Sequence, residues 1–165
     1  DLVEYVFGVE VGMDTNARKN RSGTVMESVL QPLIEDEVSK MADLVFINQC
    51  NQNRALEAGL HWPLARNRRM DFALWKKDKH DNPLCIETNF FNVSGSKAGV
   101  AASYIDRQNE LQSGGWEFAL VTDGPGWQRM ANDLAEIIEK LKYVMNLDQV
   151  RRGLLSAVIE KLYIA

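Results

Sequence analysis

The chain has 165 residues, 45% of them hydrophobic and 25% charged, so it can form one domain with a substantial core, and a disordered, repeat or coiled-coil protein is excluded. Its net charge of −4 does not by itself indicate binding to nucleic acid. No apolar run approaches the length that a bilayer requires, and we expect no membrane association.

The N-terminal part predicts a strand followed by a helix. Residues 5–12 have the apolar density of a strand, and residues 13–23 are polar and contain glycine. Thr24 then lies three residues before Glu27, as in a helix capping box, and a helical stripe of apolar residues follows. Residues 41–68 show no clear pattern, so we expect short mixed elements and a loop there.

The remainder predicts an α/β domain with a mixed β-sheet flanked by helices. We expect strands over about residues 70–76 and 84–91, joined by a turn at Asp81–Pro83. Further along the chain the patterns predict a helix over 98–111, a strand over 116–123, a turn at 124–126, a helix over 127–144 and a helical segment over 147–163 that is weakest at Gly153.

The two cysteines, Cys50 and Cys85, indicate a reduced protein. They form no CxxC motif, and with only two histidines in the chain they indicate neither a disulfide framework nor a zinc site. We therefore expect a cytoplasmic protein. From its length we interpret residues 1–165 as a single domain. Because the chain begins at Asp1 without a methionine, we leave open that an upstream segment is missing.

Asp71 and Glu87 are the most informative residues, because each is an acid within a predicted buried strand. A buried carboxylate is costly unless its charge is compensated, and a hard divalent cation can compensate two acids that converge. In a hairpin their side chains can meet on one face, and Asn89 returns to the face of Glu87 because side chains alternate. The pattern suggests a site for Mg²⁺. The alternative is that each acid pairs with an adjacent arginine, such as Arg68 or Arg69.

Five segments occur in order along the chain: FGVEVGMDTNARKNRSGTVMESVL, RMDFAL, IETNFF, SGSK with a following helix that contains SYI, and FALVTDGPGW. Together they closely resemble the DpnII/MboI-type restriction endonucleases of the PD-(D/E)xK nuclease superfamily. The resemblance spans roughly residues 5–155. It implies a restriction-endonuclease-like core and a Mg²⁺-dependent enzyme that cleaves double-stranded DNA at unmethylated 5′-GATC-3′.

The resemblance also implies roles for individual residues. Asp71 and Glu87 would be metal ligands, and Asn89 stands where the wider superfamily usually has a catalytic lysine. The ETN form looks usual in this subgroup, so another cation must assist. Our candidate is Lys97, at the end of the SGSK loop, and Lys76 is the competing one.

Glu27 is a further candidate for the site, because an acid on the first core helix approaches the metal in related nuclease folds. The capping role explains Glu27 equally well. Ser94 and Ser96 would present backbone N–H groups to a phosphate near the start of the following helix.

Two groups of basic residues are candidates for DNA contact. The first, Arg18 to Arg21, matches the family's ARKNR segment and contains the side chains that pair with guanine and adenine edges. The second precedes the Asp71 strand and suits phosphates, although such runs are also typical of a solvated surface. The DNA-binding candidates are Arg18, Lys19, Asn20, Arg21, Arg68, Arg69, Ser94 and Ser96, with Arg66 beside them.

The palindromic site predicts a homodimer, because two-fold symmetry presents equal surfaces to both half-sites. Two other interpretations stay open. One is a DNA-binding domain of the same fold that has lost catalysis. The other is a structural α/β domain whose acids are bridged to Arg68 and Arg69.

Overall fold

A computed structural model describes residues 23–92 and 99–164 of the chain. Its core is a five-stranded sheet in the order β1-β2-β3-β4-β5. In chain order the elements are α1 (Gly23–Ser39), β1 (Leu44–Cys50), α2 (Gln52–Glu57), β2 (Met70–Lys76), β3 (Lys79–Phe90), α3 (Val100–Ser113), β4 (Glu117–Asp123), a 3₁₀ helix (Pro125–Met130), α4 (Ala131–Lys140), β5 (Tyr143–Met145), α5 (Leu147–Arg151) and α6 (Leu154–Tyr163).

The sheet is mixed, as predicted. Strands β1, β2 and β3 are antiparallel neighbours, whereas β3, β4 and β5 run parallel. Each parallel pair requires a crossover, which α3 supplies between β3 and β4 and α4 between β4 and β5. The start of β2 and the end of β3 are therefore neighbours, at the edge of the sheet from which the chain leaves β3 toward α3.

Apolar cores lie on both faces of the sheet, and this explains the nearly continuous apolar runs of its central strands. On one face, Phe72 and Ile86 belong to the same core as Leu30 of α1 and Ile159 of α6. On the other face the core contains residues of α3, the 3₁₀ helix and α4. Side chains along each strand alternate between the two faces, so this alternation determines which of them point toward α3. The acids discussed below are among them.

The two outer strands, β1 and β5, were not predicted. β5 replaces the end of the helix that we expected over 127–144. The helix stops at Lys140 because Gln108 of α3 intervenes: its Nε2 donates to the Lys140 carbonyl at 3.0 Å, and its Oε1 accepts from the Lys142 N–H at 2.9 Å. A tertiary contact thus ends a helix whose local pattern continues.

Two local predictions were wrong. The hairpin between β2 and β3 turns at residues 77–78, and Asp81–Pro83 lies inside β3, where Asn82 has a φ of +53° and the pairing register shifts. Polar turn chemistry therefore marks a bulge rather than the turn. Helix α1 spans Gly23–Ser39, so Thr24 lies within its first turn and is not its N-cap.

The weak point predicted at Gly153 and the reduced state predicted for the two cysteines are confirmed. The C-terminal segment divides into two helices at Gly153, whose φ of +102° is accessible to glycine. Trp127 is a buried packing residue, with its ring edge-on to Phe91 and its Nε1 donating to Thr122 Oγ1 at 2.8 Å. Cys50 and Cys85 are buried free thiols. Among the helices of the described ranges, none combines the length and apolar character needed to cross a membrane.

Candidate active site

Asp71 and Glu87 come together where β2 and β3 separate. The paired register of these strands ends at Phe72 opposite Ile86, and one further step places Asp71 opposite Glu87. The two carboxyl groups are close enough to share a hydrogen bond. The predicted convergence of the two acids on one face is therefore present in the structure.

Asp71 is oriented by β3. The Thr88 N–H donates to Asp71 Oδ2 at 2.8 Å, and the Thr88 hydroxyl donates to the same oxygen at 3.1 Å. The carboxylate thus receives a backbone N–H of the neighbouring strand at the point where the regular strand pairing has ended. Two donors on one oxygen hold the carboxyl group in one orientation.

Glu87 is the more deeply buried acid, with 9% of its surface exposed. Arg107 of α3 places its Nη2 3.0 Å from Glu87 Oε1. The contact is an ion pair without hydrogen-bond alignment, because the buried Glu87 Oε1 accepts no hydrogen bond from the described residues. Burial, and next the charge of Asp71, raise the pKa of Glu87 to about 8, while Arg107 acts in the opposite direction.

Glu27 of α1 approaches the pair from another element. Gln49 Nε2 donates to Glu27 Oε2 at 2.7 Å, from a residue of β1 whose φ is +48°. Burial, followed by the charge and hydrogen bond of Asp71, raises the pKa of Glu27 to about 7, and Arg69 opposes this shift. The described contacts of Glu27 therefore join α1 to β1 and to Asp71 of the acid pair.

Asn89 shares the face of Glu87 and interacts with α3. Its side chain interacts with the hydroxyl of Tyr104, whose pKa is raised chiefly by burial. Its Oδ1 is buried and has no hydrogen-bond partner in the described part of the chain. An amide oxygen in this position is an additional neutral acceptor beside the two acids.

The donor set fits a hard divalent cation. Within residues 23–92 and 99–164, no three His, Cys, Asp or Glu side chains form a metal-binding group by themselves. Mg²⁺ is commonly held by only one or two carboxylates and completes its shell with water and phosphate oxygens. The converging pair of Asp71 and Glu87, with the Asn89 amide oxygen free of hydrogen-bond partners among the described residues, meets that requirement.

The structure brings together only part of the predicted set. Lys97, Ser94, Ser96, Arg18, Lys19, Asn20 and Arg21 lie outside the described residues. Lys76 is at the opposite end of β2 from Asp71, where its Nζ donates to the Tyr163 carbonyl at 3.3 Å, so this competing candidate is wrong.

Arg68 and Arg69 are exposed just before β2. Among the described residues neither forms an ion pair with Asp71 or Glu87, since Glu87 pairs with Arg107 instead. Arg68 lines a cleft of about 520 Å³ together with the first turns of α3 and Arg107. The interpretation of the acids as structural partners of these two arginines is therefore wrong.

Arg107 and Tyr104 were missed by the sequence analysis. Both lie on the stripe of α3 that also carries Val100 and Leu111, at helical spacings of three or four residues. A charged residue within an otherwise apolar, sheet-facing stripe is the signal that could have identified Arg107, because such a charge requires a buried partner.

Comparison with known proteins identifies relatives along nearly the whole chain. A family model described as DpnII restriction endonuclease matches residues 1–157. The type II restriction enzyme MjaIII of Methanocaldococcus jannaschii is 37% identical over 164 residues, which cover 96% of this chain and 56% of that enzyme. The type II restriction enzymes DpnII of Streptococcus pneumoniae and MboI of Moraxella bovis are 35% and 36% identical, over 94% and 89% of this chain and 56% and 50% of their own lengths. The chain thus spans about half the length of these curated relatives, and no solved structure matches significantly.

Proposed function

This chain belongs to the DpnII restriction endonuclease family, and we propose that it carries the catalytic centre of a type II restriction endonuclease that cleaves double-stranded DNA at 5′-GATC-3′ with Mg²⁺. The observation that carries this proposal is the convergence of Asp71 and Glu87 at the parting of β2 and β3. The relatives described above are type II restriction enzymes, which supports the same activity.

In this proposal Asp71 and Glu87 hold the cation, and Asn89 offers its amide oxygen to the cation or to a coordinated water. The bound cation would lower the pKa of a water molecule and neutralise charge that grows on the phosphate. Thr88 orients Asp71 through its two donated hydrogen bonds. Glu27, with a pKa of about 7, exchanges protons near neutral pH, which suits a general base beside the cleaved bond.

Besides the metal ion, a positively charged side chain is required to stabilise the leaving group or the phosphate, and we propose Lys97 for this role. The test is Lys97→Met with Lys76→Met as the matched control, because Lys76 is a lysine bound at the far end of β2. We expect K97M to lose most cleavage and K76M to retain it. Equal activity of the two variants would exclude Lys97.

DNA binding would involve Arg68 and Arg69 at phosphates, Arg18, Lys19, Asn20 and Arg21 at bases or phosphates, and Ser94 and Ser96 beside the scissile linkage. A cytoplasmic homodimer would read the two half-sites of the palindrome. Sedimentation of the protein with a GATC duplex measures this stoichiometry, and we expect two chains per duplex.

The central experiment incubates the protein with unmethylated and adenine-methylated plasmid, with and without Mg²⁺. We expect double-strand cleavage of the unmethylated plasmid only, and only with Mg²⁺. Asp71→Asn should abolish cleavage with folding retained, whereas Asp78→Asn, in the exposed hairpin turn of the same strand pair, should cut normally. Full cutting by D71N would remove the metal assignment, and duplex binding without cleavage at any Mg²⁺ concentration would indicate an inactive DNA-binding domain.

A further inference from the structure

Helix α3 supplies a second row of polar side chains behind the candidate active site. Arg107 contacts Glu87, and Tyr104, one turn earlier, interacts with Asn89. Each of the two site residues of β3 that face α3 therefore has its own partner on that helix. The partners are three residues apart on the helix and the site residues are two apart on the strand, so the two rows face each other along their length.

Helix α3 is a rigid support for these contacts. Its Leu111 is fully buried in the core on this face of the sheet, and Gln108 is hydrogen-bonded to the backbone on both sides of Leu141. Arg107 lies between Tyr104 and these anchors, so the helix determines where its guanidinium stands. The side chain has 14% of its surface exposed, which restricts its rotamers further.

The site otherwise contains more negative than positive charge. Asp71, Glu87 and Glu27 approach one another, and the strand position at which the superfamily resemblance leads us to expect lysine carries Asn89. Arg107 is the cation in direct contact with a described acid of this cluster. A guanidinium stays protonated at every pH at which an enzyme works, so its charge does not depend on its surroundings.

We propose that Arg107 is a positioning residue that holds the Glu87 carboxylate toward Asp71 and offsets part of the negative charge of the acid cluster. The inference rests on the proposed function, because it concerns the geometry of the same metal site. Arg107 acts through Glu87, as outer partners that orient metal-binding carboxylates commonly do, and their loss typically costs 10- to 100-fold in affinity or rate.

The experiment compares four proteins: the wild type, R107Q, R107K and R152Q. Arg152 is the matched control, because it also forms an ion pair, at 2.7 Å with Asp148, but is 67% exposed on a distant helix. Three quantities are measured at pH 8.5. They are kcat and KM for a GATC duplex in saturating Mg²⁺, and the Mg²⁺ concentration that half-saturates thermal stabilisation without DNA.

We expect R107Q to lower kcat by about 10- to 100-fold and to raise the half-saturating Mg²⁺ concentration by a similar factor, with KM for the duplex unchanged. R107K keeps the charge without the planar fork and should recover part of kcat, while R152Q should match the wild type. R107K also keeps the test valid if R107Q does not fold.

Three results would overturn the inference. The first is an R107Q protein with wild-type kcat and Mg²⁺ dependence. The second is an increase in KM alone, which would make Arg107 a contact to DNA. The third is a lowered melting temperature with unchanged kcat, which is the behaviour of a structural residue. If the wild type neither cleaves the duplex nor is stabilised by Mg²⁺, the proposed function itself fails.

Discussion

Replacing Glu87 by glutamine should stabilise the metal-free protein at high pH while it removes Mg²⁺ binding. The pKa of Glu87 rises from the ordinary value of 4.5 to about 8 in the folded chain. A raised folded-state pKa means that folding resists ionisation of this group. Its destabilising effect is therefore small below pH 4.5 and grows as the pH rises toward 8.

The size of this effect follows from the shift. Each pKa unit corresponds to about 1.4 kcal/mol. The raised pKa of Glu87 therefore lowers the free energy of unfolding by on the order of 4–5 kcal/mol at pH 8.5 and by about 1 kcal/mol at pH 5.5. Glutamine is uncharged, but it leaves the mostly buried guanidinium of Arg107, 3.0 Å from Glu87, without its ionic partner. We therefore expect a smaller net gain of about 1–3 kcal/mol at pH 8.5.

The assay is thermal unfolding of the wild type and E87Q at the two pH values, without metal and with Mg²⁺. For a chain of this length about 1 kcal/mol moves Tm by about 2–4 °C, so E87Q should melt several degrees higher than the wild type at pH 8.5 and within about 2 °C of it at pH 5.5. Mg²⁺ should raise Tm of the wild type at pH 8.5 and leave E87Q unchanged. Equal destabilisation of E87Q at both pH values would refute the reasoning, because it would show that the carboxylate is not strained by its surroundings.

Three further predictions test the site and its support. The Mg²⁺ concentration that half-saturates thermal stabilisation of the wild type should fall by at least about tenfold from pH 6.5 to pH 8.5, because protons compete for Glu27 and Glu87, whose pKa values are raised to about 7 and 8; a flat titration would argue against these acids. Gly124→Ala should lower the free energy of unfolding by about 3 kcal/mol or more in denaturant, because its Cβ would lie 2.2 Å from the Phe91 carbonyl oxygen at a φ of +112°. Gly115→Ala is the control: its φ is +82° and nothing lies within 4 Å of the added Cβ, so the loss should be about 1–2 kcal/mol. Trp127→Phe should lose about 1–3 kcal/mol because it leaves Thr122 Oγ1 without its donor, and a loss below about 0.5 kcal/mol would show that this bond contributes little.

The sequence patterns predicted well the strands that are buried on both faces of the sheet and the break between the last two helices. The apolar runs of β2 and β4 and the break at Gly153 are properties of short segments, so they were found without knowledge of the neighbours. Of the two strands that were not predicted, β5 was missed for a physical reason. β5 has only three residues and exists because Gln108 ends the preceding helix, a contact across more than 30 residues of sequence.

The sequence by itself determined that the chain is an α/β protein, that Asp71 and Glu87 lie in adjacent strands, and that Asn89 shares the face of Glu87, since strand alternation has a period of two. Only the tertiary structure decided which groups surround these acids. Glu27 reaches Asp71 from α1, and Arg107 reaches Glu87 from α3, over separations of 44 and 20 residues that no local pattern encodes. Electrostatic interactions depend on distance in space, so the charge state of the site is a property of the folded chain.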